Sequence, residues 1–130
     1  MSVQMELHKI IISEGQEQQI IVLKEVDGER KFPMVIGTDI ALTIHRRLNG
    51  ETPPRPMTHD LLASVIEHLG VKVTQIEINN LQNGTFFAKI HLQRNGTTVE
   101  VDSRPSDAIA LGVTSNVPIF VADHVLDEVT

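Results

Sequence analysis

The chain predicts an α+β domain: a mainly antiparallel sheet of about six to seven strands, with three helices. Three observations carry that class. Period-two runs rich in Ile, Val and Leu fill residues 5–36 and 71–101. Helix-period stripes occupy 38–48, 58–69 and 104–114. Tight-turn signals such as Asn95-Gly96 join consecutive strands, which therefore run antiparallel. At 130 residues the chain suits one domain, 1–130, able to bury a core without staples.

Met5 to Ile12 and Gln19 to Val26 read as strands, with turn material at Ser13 to Gln16. Asp27-Gly28 is a two-residue hairpin signal leading into Arg30 to Ile36, where Phe32, Met34 and Ile36 share a face. Pro33 lacks a donor, which puts that strand on an edge or at a bulge. Thr38 is the expected N-cap of a helix with the stripe Ile40, Ile44, Leu48. Pro53, Pro54 and Pro56 make 51–57 a stiff connector. The next helix, Thr58 to Leu69, is expected to bury Leu61, Leu62, Val65, Ile66 and Leu69, with Gly70 as its stop.

Beyond it, the apolar phase slips between Val73 and Ile76, which predicts a bulge near Thr74-Gln75. A two-residue turn at Asn95-Gly96 pairs Leu92 with Val99 and Ile90 with Val101. On the polar face it sets His91 opposite Glu100 and Lys89 opposite Asp102. The same turn at Asn83-Gly84 would oppose Ile78 and Lys89, so a longer loop or a bulge is expected there. Pro105 suits the first position of a third helix, reaching about Thr114. Pro118 to Val121 is a short last strand, followed by a helical turn or two.

Composition narrows the functions. With no cysteine, disulfides, thiolate metal sites and a cysteine nucleophile are excluded. Phenylalanine, at four residues, is the only aromatic, so there is no stacking platform for single-stranded bases. The net charge of −6 counts against tight non-specific binding to phosphate backbones, which depends on Lys and Arg. Distribution matters more, since Arg46, Arg47, Arg55 and Arg104 lie near the polar segments described next. Arg46-Arg47 by itself reads as a solvated helix end. With no signal-like start and no long apolar run, a cytoplasmic protein away from membranes is expected.

Two segments are unusually rich in chemistry: Arg55-Pro-Met-Thr-His-Asp-Leu-Leu62 and Val101-Asp-Ser-Arg-Pro-Ser-Asp-Ala-Ile-Ala-Leu111. Each puts an arginine, a hydroxyl and a carboxylate at a helix start, where free N–H groups and the dipole attract phosphate. Arg55 and Arg104 are candidates to clamp phosphate, with Ser103 and Ser106 beside them. Asp102 and Asp107 are candidates to hold a divalent metal, Mg²⁺ or Mn²⁺. His59 suits a general base or acid, because a free imidazole changes charge near neutral pH. The same residues also serve ordinary ends: Thr58 and Ser103 as caps, Asp60 and Asp107 as dipole partners, Asp102 as a cross-strand partner of Lys89.

These two segments resemble the signatures of the bifunctional nuclease domain, a bacterial family; the Phe32 to Gly37 run, total length and element order are similar too. The likeness runs from about Met5 to Val129, with Gly112 where alanine is expected. It implies an α+β domain, self-association as a homo-oligomer, and nuclease activity on both DNA and RNA. Acting on both would make water the nucleophile, because the 2′-hydroxyl would not be required. His59 is the candidate to activate it directly; Asp60, Asp102 and Asp107 are the candidates to do so through a metal. Asp60 and Asp107 thus join His59 as candidate catalytic residues. Two other readings stay open: a non-catalytic protein-interaction module, and a sensor of a small anionic ligand gripped by Arg55 and Arg104.

Overall fold

The computed structural model describes all 130 residues. In chain order the elements are β1 (Ser2–Ile11), β2 (Gln18–Glu25), β3 (Lys31–Gly37), α1 (Thr38–Leu48), α2 (Thr58–His68), β4 (Lys72–Gln82), β5 (Thr85–Arg94), β6 (Thr97–Ser103), α3 (Pro105–Ser115), β7 (Ile119–Ala122) and α4 (Asp123–Val129). The α+β class and the antiparallel character hold, with a short fourth helix where only a helical turn or two was expected. All seven strands form one sheet in the order β3-β2-β1-β7-β4-β5-β6. Its one parallel pair is β4 with β7, which inserts β7 between the two antiparallel halves.

The β5–β6 hairpin has the register read from Asn95-Gly96, including His91 opposite Glu100 and Lys89 opposite Asp102. Register slips at Thr74, as expected, and again at Asn79. That second bulge lets Asn83-Gly84 remain a two-residue turn, Gln82 opposite Thr85, while Ile78 meets Ala88 rather than Lys89. Both turns hold their asparagine in the left-handed region, at φ 51° and 50°. The Asp27-Gly28 signal is overruled, because Glu25 and Arg30 pair through their backbones and leave a four-residue connection between them. The Glu25 carboxylate accepts from both the backbone N–H and Nε of Arg30, each at 3.0 Å, and this fixes the wider loop.

β3 with its Pro33 is an edge strand, as expected. The helices cover the sheet face that carries Ile21, Leu23, Phe32, Met34, Ile76, Ile78, Ala88 and Ile90, all buried. Phe86 of β5 stacks on Phe32 of β3, ring centroids 5.9 Å apart, although four strands lie between them in the sheet. The sheet is therefore strongly coiled, its bulged β4–β5 hairpin curling over the core. α4 adds Val125 and Leu126 to that core, and Asp127 reaches Arg30 across 3.1 Å.

The caps of two helices fall one residue earlier than expected. α1 is capped by the backbone of Gly37. The Thr38 hydroxyl instead ties down the β1–β2 turn through the Gln16 and Glu17 carbonyls and buried Gln19. Met57, not Thr58, precedes α2, and its N–H donates to the Asp60 carboxylate at 3.0 Å. In α1, Ile44 is buried but Leu48 is exposed. The larger correction is the face α2 buries. His59, Ala63 and Ile66 turn inward, while Leu61, Leu62, Val65 and Leu69 are 42–68% exposed. Bulk hydrophobicity did not choose the face; small Ala63 and the His59 partner on α3 did.

Candidate active site

α3 starts cleanly because Pro105 fixes the first helical φ and gives up an N–H that no helix would satisfy. Its first turn then carries Asp107, with Arg104 just outside the helix. Burial against α2 comes from Ala108 and its neighbours. Gly112 lets the helix sit close to the sheet: a Cβ there would lie 3.2 Å from Ile76 Cδ1. The glycine where alanine was expected thus has a packing reason.

The two signature segments meet at this point. His59 Nε2 lies 3.2 Å from Asp107 Oδ1, and Arg104 Nε donates to Asp107 Oδ2 at 2.8 Å. Burial acts to raise the Asp107 pKa, but the bonds from Arg104 and His59 outweigh it and hold the carboxyl below its ordinary value. The Arg104 pKa is pushed up by the same bond. An ionised carboxylate only accepts, so Nε2 carries the imidazole hydrogen and the neutral ring keeps its lone pair on Nδ1. Nδ1 makes no hydrogen bond within the chain. It is not sealed from solvent either, since the one fully buried, unpartnered side-chain polar atom is Asn79 Oδ1.

A histidine, a carboxylate and an arginine are thereby brought to one place, with the His59 ring oriented by the Asp107 carboxylate. Arg104, 73% exposed, uses only Nε on Asp107 and leaves both Nη groups without a partner in the chain. The first-turn N–H groups of Ser106 and Asp107 are unpaired within the chain.

The other expected residues lie elsewhere. Asp102 faces away: it shares the sheet face of Lys89, opposite the side on which α3 packs. Lys89 pairs with Glu100 at 3.3 Å rather than with Asp102. Asp102 and Asp107 therefore form no metal pair, and no group of three or more His, Asp or Glu side chains is arranged as a metal cage. The Ser103 hydroxyl donates to the Arg104 carbonyl at 2.8 Å, which fixes the β6–α3 corner. Ser106 lies in the first turn of α3 without a side-chain bond. Arg55 is exposed on the connector and makes no hydrogen bond or ion pair with His59 or Asp107.

Asp60, about 100° further round α2, turns toward α1, and its Oδ1 is 3.8 Å from Arg47 Nη1. Arg47 also donates to the Thr114 carbonyl at 3.3 Å and lines two cavities flanking the connector. It was read as a solvated helix end. The only sequence signal for its role was an acid in the first turn of the following helix. Neither of those two cavities is lined by His59, Arg104 or Asp107, which meet where α2 and α3 begin.

An α+β domain with a coiled sheet and a His–Asp–Arg cluster where two helices begin is the class that fold and site define. The chain belongs to the bifunctional nuclease domain family, whose model matches residues 21–130. β1 precedes the matched part yet pairs with both β2 and β7 near the middle of the sheet. An uncharacterized protein of Mycobacterium tuberculosis is 38% identical over 117 residues, covering 90% of this chain and 70% of that protein. Bifunctional nuclease 2 of Oryza sativa subsp. japonica is 29% identical over 114 residues, covering 85% of this chain. Bifunctional nuclease 2 of Arabidopsis thaliana is 27% identical over 105 residues, covering 78%. The chain spans about a third of those plant proteins, 35% and 32%. Similarity thus extends to flowering plants, beyond the bacteria the sequence suggested. No helix is long and apolar enough to cross a membrane.

Proposed function

We propose that this domain is a nuclease that hydrolyses phosphodiester bonds in DNA and RNA, with His59 as general base. The carrying observation is the His59–Asp107–Arg104 chain of contacts at 3.2 and 2.8 Å. Asp107 orients the imidazole; Nδ1 takes a proton from water as the water attacks phosphorus, the P–O bond to the leaving sugar oxygen breaks, and that oxygen takes a proton from solvent. The unpartnered Nη groups of Arg104 and the first-turn N–H groups of α3 stabilise charge gathering on the phosphoryl oxygens. Membership of the nuclease-named family supports this reading. Mg²⁺ or Mn²⁺ is proposed as a partner of the substrate phosphates rather than of a protein cage, an arrangement Mg²⁺ favours.

The test is cleavage of supercoiled plasmid and of RNA by the purified chain with Mg²⁺, with Mn²⁺ and with chelator. Wild type cutting both, and His59→Ala and Arg104→Ala cutting neither, supports the reading. Cleavage by His59→Ala at the wild-type rate overturns it.

The exposed row Leu61, Leu62, Val65 and Leu69 favours a second reading, in which the domain also pairs with protein. We infer that this row is where the chain assembles as a homo-oligomer, in the cytoplasm. A non-catalytic module would keep that assembly and show no cleavage.

A further inference from the structure

Beside the first turn of α2 lies a cavity of about 380 Å³, within the range that holds small ligands. Its walls include Arg46, Arg47, Pro53, Pro54, Met57 and Asp60. Glu51 also lines it, so two cations meet two anions and a bare phosphate gains little net attraction. Donors and acceptors are nonetheless plentiful, and the prolines give apolar walls that need no ordering. Arg47 Nη1 stays 3.8 Å from Asp60 Oδ1, beyond hydrogen-bond range, which leaves that oxygen able to accept from another donor. The Arg46 side chain makes no hydrogen bond or ion pair.

We propose that this cavity seats a nucleobase, guanine being the best match, from a nucleotide flanking the bond at His59. Guanine offers N–H donors that suit a carboxylate, and O6 and N7 acceptors that suit an arginine fork. A phosphate-only site would not carry matched acids. His59 and Asp60 are consecutive and project about 100° apart on one helical turn, toward Asp107 and Arg47 respectively, so a single strand crossing the start of α2 passes both places. The subsite role rests on the nuclease reading; the binding of the base does not.

The test is an NMR titration of the full chain with uncharged guanosine, adenosine, cytidine and uridine, and with inorganic phosphate. Guanosine should shift Thr52 and the Met57 methyl most strongly. Arg46→Ala and Glu51→Gln should each weaken that binding at least fivefold, and His59→Ala should leave it unchanged. No shift with any nucleoside overturns the proposal, as does phosphate shifting the same residues as strongly as guanosine. Guanosine binding in a chain that cuts nothing keeps the seat and removes the nuclease reading. Cutting whose base preference survives Arg46→Ala removes the subsite and leaves that reading intact.

Discussion

The imidazole of His59, in the first turn of α2, bonds the carboxylate of Asp107, in the first turn of α3, across 48 residues of sequence. Because that carboxylate also takes Arg104 Nε, both its oxygens are committed and its charge is fixed in place. The arrangement couples a base, its orienting acid and a cation within one short chain of bonds.

Asp107→Asn keeps the shape but presents an amide that can donate, which allows the imidazole to move its hydrogen to Nδ1. The expected loss of cleavage is about 10²-fold or more, the usual contribution of a positioned base. Steady-state kinetics beside circular dichroism would check it; an unaltered rate in a folded variant contradicts the assignment.

Acid should act through the same residue. The folded pKa of Asp107 lies below its ordinary 3.8, so its stabilising effect is complete above that value and fades as pH falls through the lower folded value. Urea unfolding from pH 6 down to pH 2 should show wild type losing stability relative to Asp107→Asn below about pH 4. Parallel curves over that range would show that the two bonds do not favour the charged carboxylate. The site is partly open to solvent, so the effect should be modest.

Much of the fold was legible because it rests on pairings between near neighbours. The period-two alternation in β5 and β6 and the Asn95-Gly96 turn fixed a register in which Ile90 meets Val101 and Leu92 meets Val99. Asp102 was legible in the same way, since its place opposite Lys89 already put it on the polar face. The α2 face was not legible: Leu61, Leu62, Val65 and Leu69 outweigh His59 and Ala63 in any hydrophobicity count. Only the distant Asp107 makes burial of that histidine favourable. Asn79 kept Asn83-Gly84 a tight turn, and nothing in its own neighbourhood announced an extra residue. Arg47 and Asp60 meet through tertiary packing alone.

The exposed row on α2 should be nearly silent in monomer stability. Val65→Lys should change unfolding free energy by no more than about 0.5 kcal/mol, as at other surface positions. Ile109→Ala, at a fully buried position, should cost about 2–5 kcal/mol. Sedimentation velocity would test the assembly proposal, with Val65→Lys lowering the sedimentation coefficient to that of a monomer. An identical value for the variant and an associated wild type would place the contact elsewhere.

Closure of the coiled sheet depends on Phe32 and Phe86. Phe86→Leu removes the ring stack and should cost about 1 kcal/mol beyond lost area. Amide exchange should quicken both near Phe32 and along the β4–β5 hairpin. Faster exchange confined to β5 would mean that the two ends of the sheet are not coupled.

The central claim is that His59 and Asp107 work as one unit, and a double-mutant cycle on cleavage rate addresses it directly. His59→Ala, Asp107→Asn and the double variant should all fall to nearly the same residual rate. Losses that multiply in the double variant, or cleavage that persists in all three, would contradict it.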